Sequence, residues 1–247
     1  MTELLPILKI APDSLPPDVL VCGDPFRAEL IAGMLDEAVQ VAWNREYRIF
    51  TGKRKGVPLA VCSHGVGAPG AALCFEMLIK AGAKRLIRVG TAGSLNLGIG
   101  DGALVIATAA VRAEGTTEQL VPISYPAVAD LDITLALKKA AAEQAEVSTY
   151  SGIVLTLSAF FPALLDLPNA LMAEANAIAV EMECAALFVV ASLRGVQAGA
   201  ILAIDGMAIN FEADAYNPHR ELVARAIEAE ARIAIQAVEK LNSRGKE

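Results

Sequence analysis

The chain has 247 residues, a net charge of −7 and an isoelectric point near 5.0, and 55% of its residues are hydrophobic. An acidic chain without a basic stripe cannot displace counterions from nucleic acid, which excludes nucleic acid as a partner. Pro162, Arg194 and Asp205 break the longest uncharged stretches before they reach the ~20 apolar residues of a membrane span. The first residues also lack the basic and apolar regions of a signal peptide, so we expect a cytoplasmic protein.

The length predicts one domain over residues 1–247, and the cysteine pattern predicts that its thiols are reduced. The chain fits one large α/β domain, and it has no internal repeat or linker that would divide it. Its cysteines are Cys22, Cys62, Cys74 and Cys184. They are scattered in apolar surroundings, so they are expected to be buried thiols and not a disulfide framework or a zinc site.

Hydrophobic periodicity alternates along the chain between strand-like and helix-like blocks. Strands are predicted over Val19–Cys22, Val39–Phe50, Val57–Ser63, Arg85–Gly90, Ala103–Ala107, Ser151–Leu157 and Ala198–Ile204. Helices are predicted over Pro25–Met34, Ala68–Ala81, Asp130–Glu146, Asn169–Ala177, Glu183–Arg194 and Asn217–Leu241, followed by a frayed polar tail. Strands that alternate with helices indicate an α/β fold, with a central mixed β-sheet flanked by helices.

Two of the predicted strands end in glycine-rich segments that also carry an arginine. The first strand leads into Gly23 and Arg27, and Arg88 stands before Gly90 and Thr91. Glycines allow backbone N–H groups to approach an oxyanion, the hydroxyl of Thr91 adds a donor, and arginine supplies a forked cation. The pair of segments predicts one phosphate held from two sides. The alternative is that the glycines serve tight turns only.

Two acids flank a methionine where a strand meets a helix. Glu181 and Glu183 could accept hydrogen bonds from two hydroxyls of a sugar, with Met182 packed beneath it. The alternative is that they lie in the first turn of the helix, where acids favour the helix dipole. Glu183 stands among apolar neighbours, where an acid needs a partner.

Asp205 follows an apolar run. Ligands of α/β sheets lie beyond the carboxyl ends of the strands, so Asp205 is a candidate general acid with a raised pKa. The alternative is that it caps a turn. Phe160 and Phe161 also follow a strand, and they are either a platform for a planar base or part of the core.

Taken together in chain order, five segments resemble the nucleoside phosphorylase family, which includes hexameric purine nucleoside phosphorylases and uridine phosphorylases. The segments are Gly23-Asp24-Pro25-Phe26-Arg27, Asn44-Arg45-Glu46-Tyr47, Ser63-His64-Gly65-Val66-Gly67, Arg88-Val89-Gly90-Thr91-Ala92-Gly93 and Val180-Glu181-Met182-Glu183. The resemblance extends from Leu4 to about Leu241. Several segments are most similar to the apicomplexan type of purine nucleoside phosphorylase.

The resemblance implies a role for each matching residue. Phosphate would be bound by Gly23, Arg27, Arg88, Thr91 and, from a neighbouring subunit, Arg45; ribose by Glu181, Met182 and Glu183; and the base by Phe160, Val180 and Asp205. Asp205 and Arg88 would be the catalytic residues. The lone histidines, His64 and His219, are expected to be structural.

The activity implied is phosphorolysis of ribonucleosides, purine by expectation, to a free base and ribose 1-phosphate. Phosphate is a co-substrate, and no metal or organic cofactor is implied. The active site would need at least a dimer, and a homohexamer built from dimers is expected. Uridine phosphorylase is the alternative, followed by a hydrolase of the same superfamily or a nucleoside-binding protein without activity.

Two departures from the family pattern bear on the substrate. Ile7 stands where the family has a histidine that reaches the 5′-hydroxyl of a neighbour's ribose, which leaves room for a less polar 5′ group. The segment Ala163–Leu167 lacks the glutamine and arginine with which uridine phosphorylases read uracil. In contrast, Val111–Gly115 and Tyr125–Asp130 are as similar to uridine phosphorylases as to purine ones.

Overall fold

The computed structural model describes residues 3–144, 146–209 and 220–243. Within them the strands are β1 Asp18–Cys22, β2 Asp36–Asn44, β3 Tyr47–Arg54, β4 Val57–Ser63, β5 Arg85–Ser94, β6 Leu104–Ala113, β7 Ala127–Val128, β8 Thr149–Leu157, β9 Ala179–Glu181 and β10 Gln197–Met207. The helices are α1 Pro25–Ala32, α2 Ala68–Lys80, α3 Leu131–Ala142, α4 Asn169–Glu174, α5 Cys184–Arg194 and α6 Glu221–Ser243. His219 and the first three residues of the last predicted helix lie outside the described residues, as do residues 244–247 of the predicted tail.

All these strands belong to one mixed sheet, which confirms the predicted fold class. β1 and β10 are both parallel to β5, while β9 pairs with β5 in the antiparallel direction. β10 also pairs with β6, β6 with β8, and β8 with β9. These pairings close a ring of five strands, and β1, β4, β3 and β2 extend the sheet outward from β5.

Helices cover both faces of the sheet. Side chains of α2 and α5 pack in one buried cluster, and those of α1, α3 and α6 pack in another. Helix α5 is buried from Cys184 to Ala191, as expected of a helix that is apolar on every side. In the described part of the chain, no helix has the length and apolarity needed to cross a membrane.

The prediction of a single strand over Val39–Phe50 is wrong, because the chain reverses direction at Arg45 and forms two strands. Arg45 has a φ of 57°, in the left-handed region, and it lies in the turn between β2 and β3, which pair in the antiparallel direction. A run of β-branched and aromatic residues has the same pattern whether it forms one strand or two. The turn is therefore hidden from periodicity.

The strands that carry Arg88 and Asp205 are longer than predicted. β5 continues through Gly90 and Gly93 to Ser94, so the glycines lie within the strand and not in a loop after it. β10 likewise continues past Asp205 to Met207. The two strands pair along this extension, which brings their functional side chains to one edge of the ring.

Candidate active site

The main cavity of the described chain has a volume of about 940 Å³ and opens where β1, β5 and β10 end. The predicted site residues that line it are Gly23, Arg27, Arg88, Thr91, Phe160, Val180, Glu181, Met182, Glu183 and Asp205. Residues from both ends of the chain are thus brought together around one space. Arg45 is the one predicted site residue that does not line it.

The start of α1 forms one wall of the cavity. The carboxylate of Asp24 accepts a hydrogen bond of 2.8 Å from the backbone N–H of Phe26, and Pro25 occupies the first turn. These residues fix the N-terminus of the helix. Arg27 therefore enters the cavity from a rigid position, with its side chain 15% exposed.

Arg88 of β5 is buried in the cavity lining and has three partners. Its Nε lies 3.2 Å from Glu181 Oε2, its Nη2 lies 2.5 Å from Glu183 Oε2, and its Nη1 lies 3.2 Å from His64 Nε2. Burial lowers the pKa of Arg88, but the two carboxylates outweigh it and raise that pKa above its ordinary value. Arg88 is therefore a permanent cation in the site.

Gly90 is required by the position of Arg88. A Cβ atom at Gly90 would lie 2.7 Å from the guanidinium carbon of Arg88. Any side chain there would push the guanidinium away from its partners. The glycine thus serves an arginine that folds back across its own strand, which the sequence pattern does not reveal.

The two acids of the site have different surroundings. Glu181 accepts hydrogen bonds from Thr156 Oγ1 and from the backbone N–H groups of Glu183 and Cys184, in addition to Arg88. These contacts occupy both of its oxygens, which favours a structural role over the sugar-binding one. Burial raises the pKa of Glu181, and Arg88 acts against this rise.

Glu183 is the acid better placed for a ligand. Its Oε1 accepts a hydrogen bond of 2.6 Å from the backbone N–H of Gly67, and its Oε2 contacts Arg88. It lines the cavity beside Met182 and is 4% exposed. A ligand hydroxyl could replace the contact with Arg88 without breaking the one with Gly67.

His64 is neutral and its tautomer follows from its neighbours. The carbonyl oxygen of Gly65 can only accept, so the Nδ1–H of His64 donates to it at 2.8 Å. Nε2 then carries no proton and accepts from Arg88. Burial, and secondarily the charge of Arg88, lower the pKa of His64 well below its usual range.

Asp205 lies on an irregularity in β10. Ile204 pairs with Ala92 of β5 and Gly206 pairs with Gly93, so Asp205 is the extra residue of a bulge. Bulges redirect side chains, and Asp205 lines the cavity with only 5% exposure. Its position in a buried strand disagrees with the alternative that it caps a turn.

The apolar side chains of the cavity lining include Leu157, Phe160, Leu167 and Val180. Phe160 contacts Phe161 edge to face, with ring centroids 5.0 Å apart. The two rings are 39% and 64% exposed, so the pair does not belong to the core. Phe160 thus lines the cavity and lies outside the hydrophobic core.

Arg45 lies outside the cavity at an exposed edge of the molecule. The carbonyl oxygen of Arg45 accepts a hydrogen bond of 3.0 Å from Trp43 Nε1. The neighbouring Asn44 donates a hydrogen bond of 2.7 Å to the carbonyl oxygen of Ile7. Arg45 and Ile7 are therefore close together, and neither reaches the cavity of its own chain.

Sequence reasoning missed several side chains at the site. Asp101 and Arg220 form an ion pair at the cavity wall. Glu230 is wholly buried behind Arg27, with Oε1 3.8 Å from Arg27 Nη1. The available signal for Glu230 was an acid within the apolar face of the last helix.

In the described residues, no three histidine, cysteine, aspartate or glutamate side chains are grouped as a metal site needs.

Comparison with known proteins gives a consistent result. A family model described as the phosphorylase superfamily matches residues 17–241. The chain is 42% identical to a uridine phosphorylase of Thermococcus kodakarensis over 198 residues, or 75% of the chain and 71% of the relative. It is 38% identical to the purine nucleoside phosphorylase of Plasmodium falciparum over 244 residues, 98% of each chain.

Among solved structures, the fold matches the purine nucleoside phosphorylase of Toxoplasma gondii in complex with immucillin-H. The TM-score is 0.93 at 29% identity, and the match covers 99% of this chain and 98% of the other.

Proposed function

The chain belongs to the phosphorylase superfamily as a nucleoside phosphorylase, a pentosyltransferase, and we propose that its preferred substrates are purine ribonucleosides. The reaction would consume nucleoside and inorganic phosphate and release the free base and ribose 1-phosphate. We also infer a role in nucleoside salvage. We place the protein in the cytoplasm, and its four free thiols support that location because thiols stay reduced there.

The observation that carries the purine assignment is the position of Asp205. It lies in the cavity wall on a bulge, in the same space as Arg27 and Arg88. A purine leaves more easily when its N7 receives a proton, and an acid at this position can supply one. Uracil has no N7. The match to a purine relative over 98% of both chains supports the same choice.

In the proposed reaction, a phosphate oxygen bonds to the anomeric carbon of the ribose as the bond from that carbon to the base breaks. The electron pair of the broken bond passes to the purine, and N7 receives a proton from Asp205. The ribose passes through an oxocarbenium-like transition state. The bound phosphate dianion stabilises this positive charge, and Arg27 and Arg88 hold the dianion in place.

The other residues would position the substrates. We assign Gly23 and Thr91 to phosphate, Met182 and Glu183 to ribose, and Phe160 and Val180 to the base. Their common cavity supports these roles. No metal or organic cofactor takes part in the proposed mechanism. Since the two largest buried clusters lie against the same sheet, we propose that residues 1–247 form one domain.

We infer that the active site is shared between two copies of the chain. Arg45 lies outside the cavity of its own subunit, in the turn that follows the edge strand β2. The side chains of Val39, Val41 and Trp43 on this strand are 59%, 44% and 50% exposed, an apolar edge that a second copy would cover. Arg45 would then reach the partner's phosphate, and three such dimers would form the expected hexamer.

Uridine phosphorylase remains the second candidate, because a uridine phosphorylase has 42% identity to the chain. The alignment with the uridine phosphorylase covers 75% of the chain, whereas the alignment with the purine relative covers 98%. Leu157, Leu167 and Val180, which line the cavity with Phe160, offer no side-chain hydrogen bond to uracil.

One assay tests the proposal. Inosine, guanosine, adenosine, methylthioadenosine and uridine are compared side by side, with and without phosphate. We expect phosphate-dependent release of purines and much slower release of uracil. Equal release without phosphate would indicate a hydrolase, and preferred cleavage of uridine would establish the second candidate.

A further inference from the structure

The last helix carries an acid on the face that it buries. Glu230 of α6 has no exposed surface, and its neighbours on this face include Ala226, Ala229 and Ile233. The buried stripe of an amphipathic helix is normally apolar, and a carboxyl group there costs several kcal/mol unless it is paired. Such a position calls for a functional explanation.

Neither carboxyl oxygen of Glu230 has a hydrogen-bond partner in the described structure. The cation beside it is Arg27, whose Nη1 lies 3.8 Å from Glu230 Oε1, too far for a hydrogen bond. Arg27 lines the cavity and Glu230 does not. Glu230 therefore lies behind the guanidinium, on the side away from the ligand space.

Charged groups from three elements face Glu230. Burial is the largest influence, and it raises the pKa of Glu230 well above the usual range. Arg27 of α1 and Arg88 of β5 lower this pKa, whereas Asp205 of β10 raises it further. The backbone N–H of Ala203 also favours the charged form of Glu230, without a hydrogen bond to either carboxyl oxygen. Other charged residues near α6 are already paired with each other. Asp18 pairs with Arg85, and Glu143 pairs with Lys240 of α6 itself.

A phosphate dianion held by Arg27 and Arg88 would place negative charge close to this carboxyl group. Like charges at short range disfavour the ionised form of Glu230. The effect is reciprocal, because two binding equilibria that influence each other do so by equal free energies. Ionisation of Glu230 must therefore weaken the binding of the anion by as much as the anion opposes the ionisation.

We propose that Glu230 is a positioning residue that acts on the anion through Arg27. As a neutral acid, it leaves the guanidinium of Arg27 free to bind phosphate. As a carboxylate, it attracts that guanidinium and opposes the phosphate. Anion binding thus takes up a proton at Glu230, and the affinity for the anion falls as the pH rises through the pKa of Glu230. This inference rests on the proposed function, since it takes Arg27 to be a phosphate ligand.

The test measures sulfate binding by calorimetry on the intact protein, because sulfate keeps its charge where phosphate titrates. The variants are Glu230→Gln, a neutral group of the same shape, and Glu228→Gln as the matched control. Glu228 lies on the same helix and pairs with Arg232 at the surface, with both side chains about half exposed.

Between pH 6.5 and pH 9.0, we expect the wild type to lose roughly tenfold more sulfate affinity than Glu230→Gln, the effect of one pKa unit of coupling. The two should bind most nearly alike at the acid end of this range, where Glu230 is most protonated, and Glu228→Gln should follow the wild type throughout. An identical pH dependence in the wild type and Glu230→Gln overturns the proposal, as does weaker binding by Glu230→Gln at every pH.

The wild type provides a second measurement that needs no variant. Sulfate binding at pH 8 in two buffers of different ionisation enthalpy should show proton uptake, and its absence overturns the proposal. A wild type that binds neither sulfate nor phosphate, and that releases bases without phosphate, contradicts the proposed function itself. A wild type that binds sulfate without proton uptake contradicts only the role of Glu230.

Discussion

Arg88 and Glu183 form an ion pair inside the cavity, with Arg88 Nη2 2.5 Å from Glu183 Oε2. The group proposed to bind phosphate therefore holds the group proposed to bind ribose. A phosphate that takes over the guanidinium frees one oxygen of Glu183 for a ribose hydroxyl. The two substrates are thus expected to help each other bind, through exchange of partners at a single contact.

Replacement of Arg88 by lysine keeps the positive charge and removes the fork. We expect the KM for phosphate to rise about 10- to 100-fold, since a charge-assisted hydrogen bond contributes ~1.5–3 kcal/mol. Alanine is a poorer probe, because it would leave Glu181 and Glu183 buried without a counter-charge, at a cost of ~3–5 kcal/mol in stability.

The matched control is Arg85→Lys on the same strand, whose partner Asp18 lies away from the cavity. Steady-state kinetics with varied phosphate measure the effect. An unchanged KM for phosphate in Arg88→Lys would contradict the assignment.

The two acids of the site should respond differently to conversion to glutamine. Glu183→Gln should lower kcat/KM for nucleosides about 10- to 100-fold with little change in melting temperature, since it loses one charged contact to the sugar. Glu181→Gln should mainly lower the melting temperature, because the oxygens of Glu181 accept bonds from Thr156, Cys184 and Arg88. Steady-state kinetics and thermal melting of both variants show which acid binds ribose and which is structural. A reversed pattern would assign the ribose to Glu181.

A shared active site predicts complementation between two inactive variants. Arg45→Ala and Asp205→Asn are each expected to be nearly inactive alone. In a dimer that contains one of each, one of the two sites combines a native Asp205 with a native Arg45. Random reassortment of equal amounts should restore about a quarter of the sites, since a two-fold axis relates the two sites.

Activity is measured after dissociation and reassembly, and mass spectrometry verifies the mixed species. Mixed dimers without activity would show that Arg45 does not act across the interface.

The alternation of strands and helices is visible in the sequence because each element has its own periodicity, but contacts between distant residues are not. The glycines and arginines near Gly23 and Arg88 mark two walls of one cavity, and the structure places both there. The partner of Arg27, Glu230, is at the other end of the chain, and its place on the apolar face of α6 marks it as unusual without showing which residue it faces. The short strand β9 has too few residues to show a period.

His64 should make the stability of the protein depend on pH. Burial and Arg88 hold its pKa in the folded state well below 6.5, whereas the unfolded chain has the ordinary value near 6.5. Below pH 6.5 the unfolded state therefore binds the extra proton, and stability falls as the pH falls, by up to ~1.4 kcal/mol per pH unit.

His64→Gln does not titrate and keeps an acceptor for Arg88. Its urea-unfolding free energy should lose less than that of the wild type between pH 7.5 and pH 5.5. Equal losses in the two proteins would show that folding does not lower the pKa of His64.

Asp205→Asn tests the chemical step. Asparagine has nearly the same shape, but it has no acidic proton to give to N7 of a purine. We expect kcat for inosine and guanosine to fall ~10²–10⁴-fold, the usual effect of losing a general acid. Because uracil has no N7, any residual activity toward uridine should fall much less. The variant must keep the oligomeric state and melting temperature of the wild type, so that the loss reflects chemistry and not folding. Purine turnover that survives the substitution would reduce Asp205 to a structural residue of the bulge, and the proton would then have to come from the solvent.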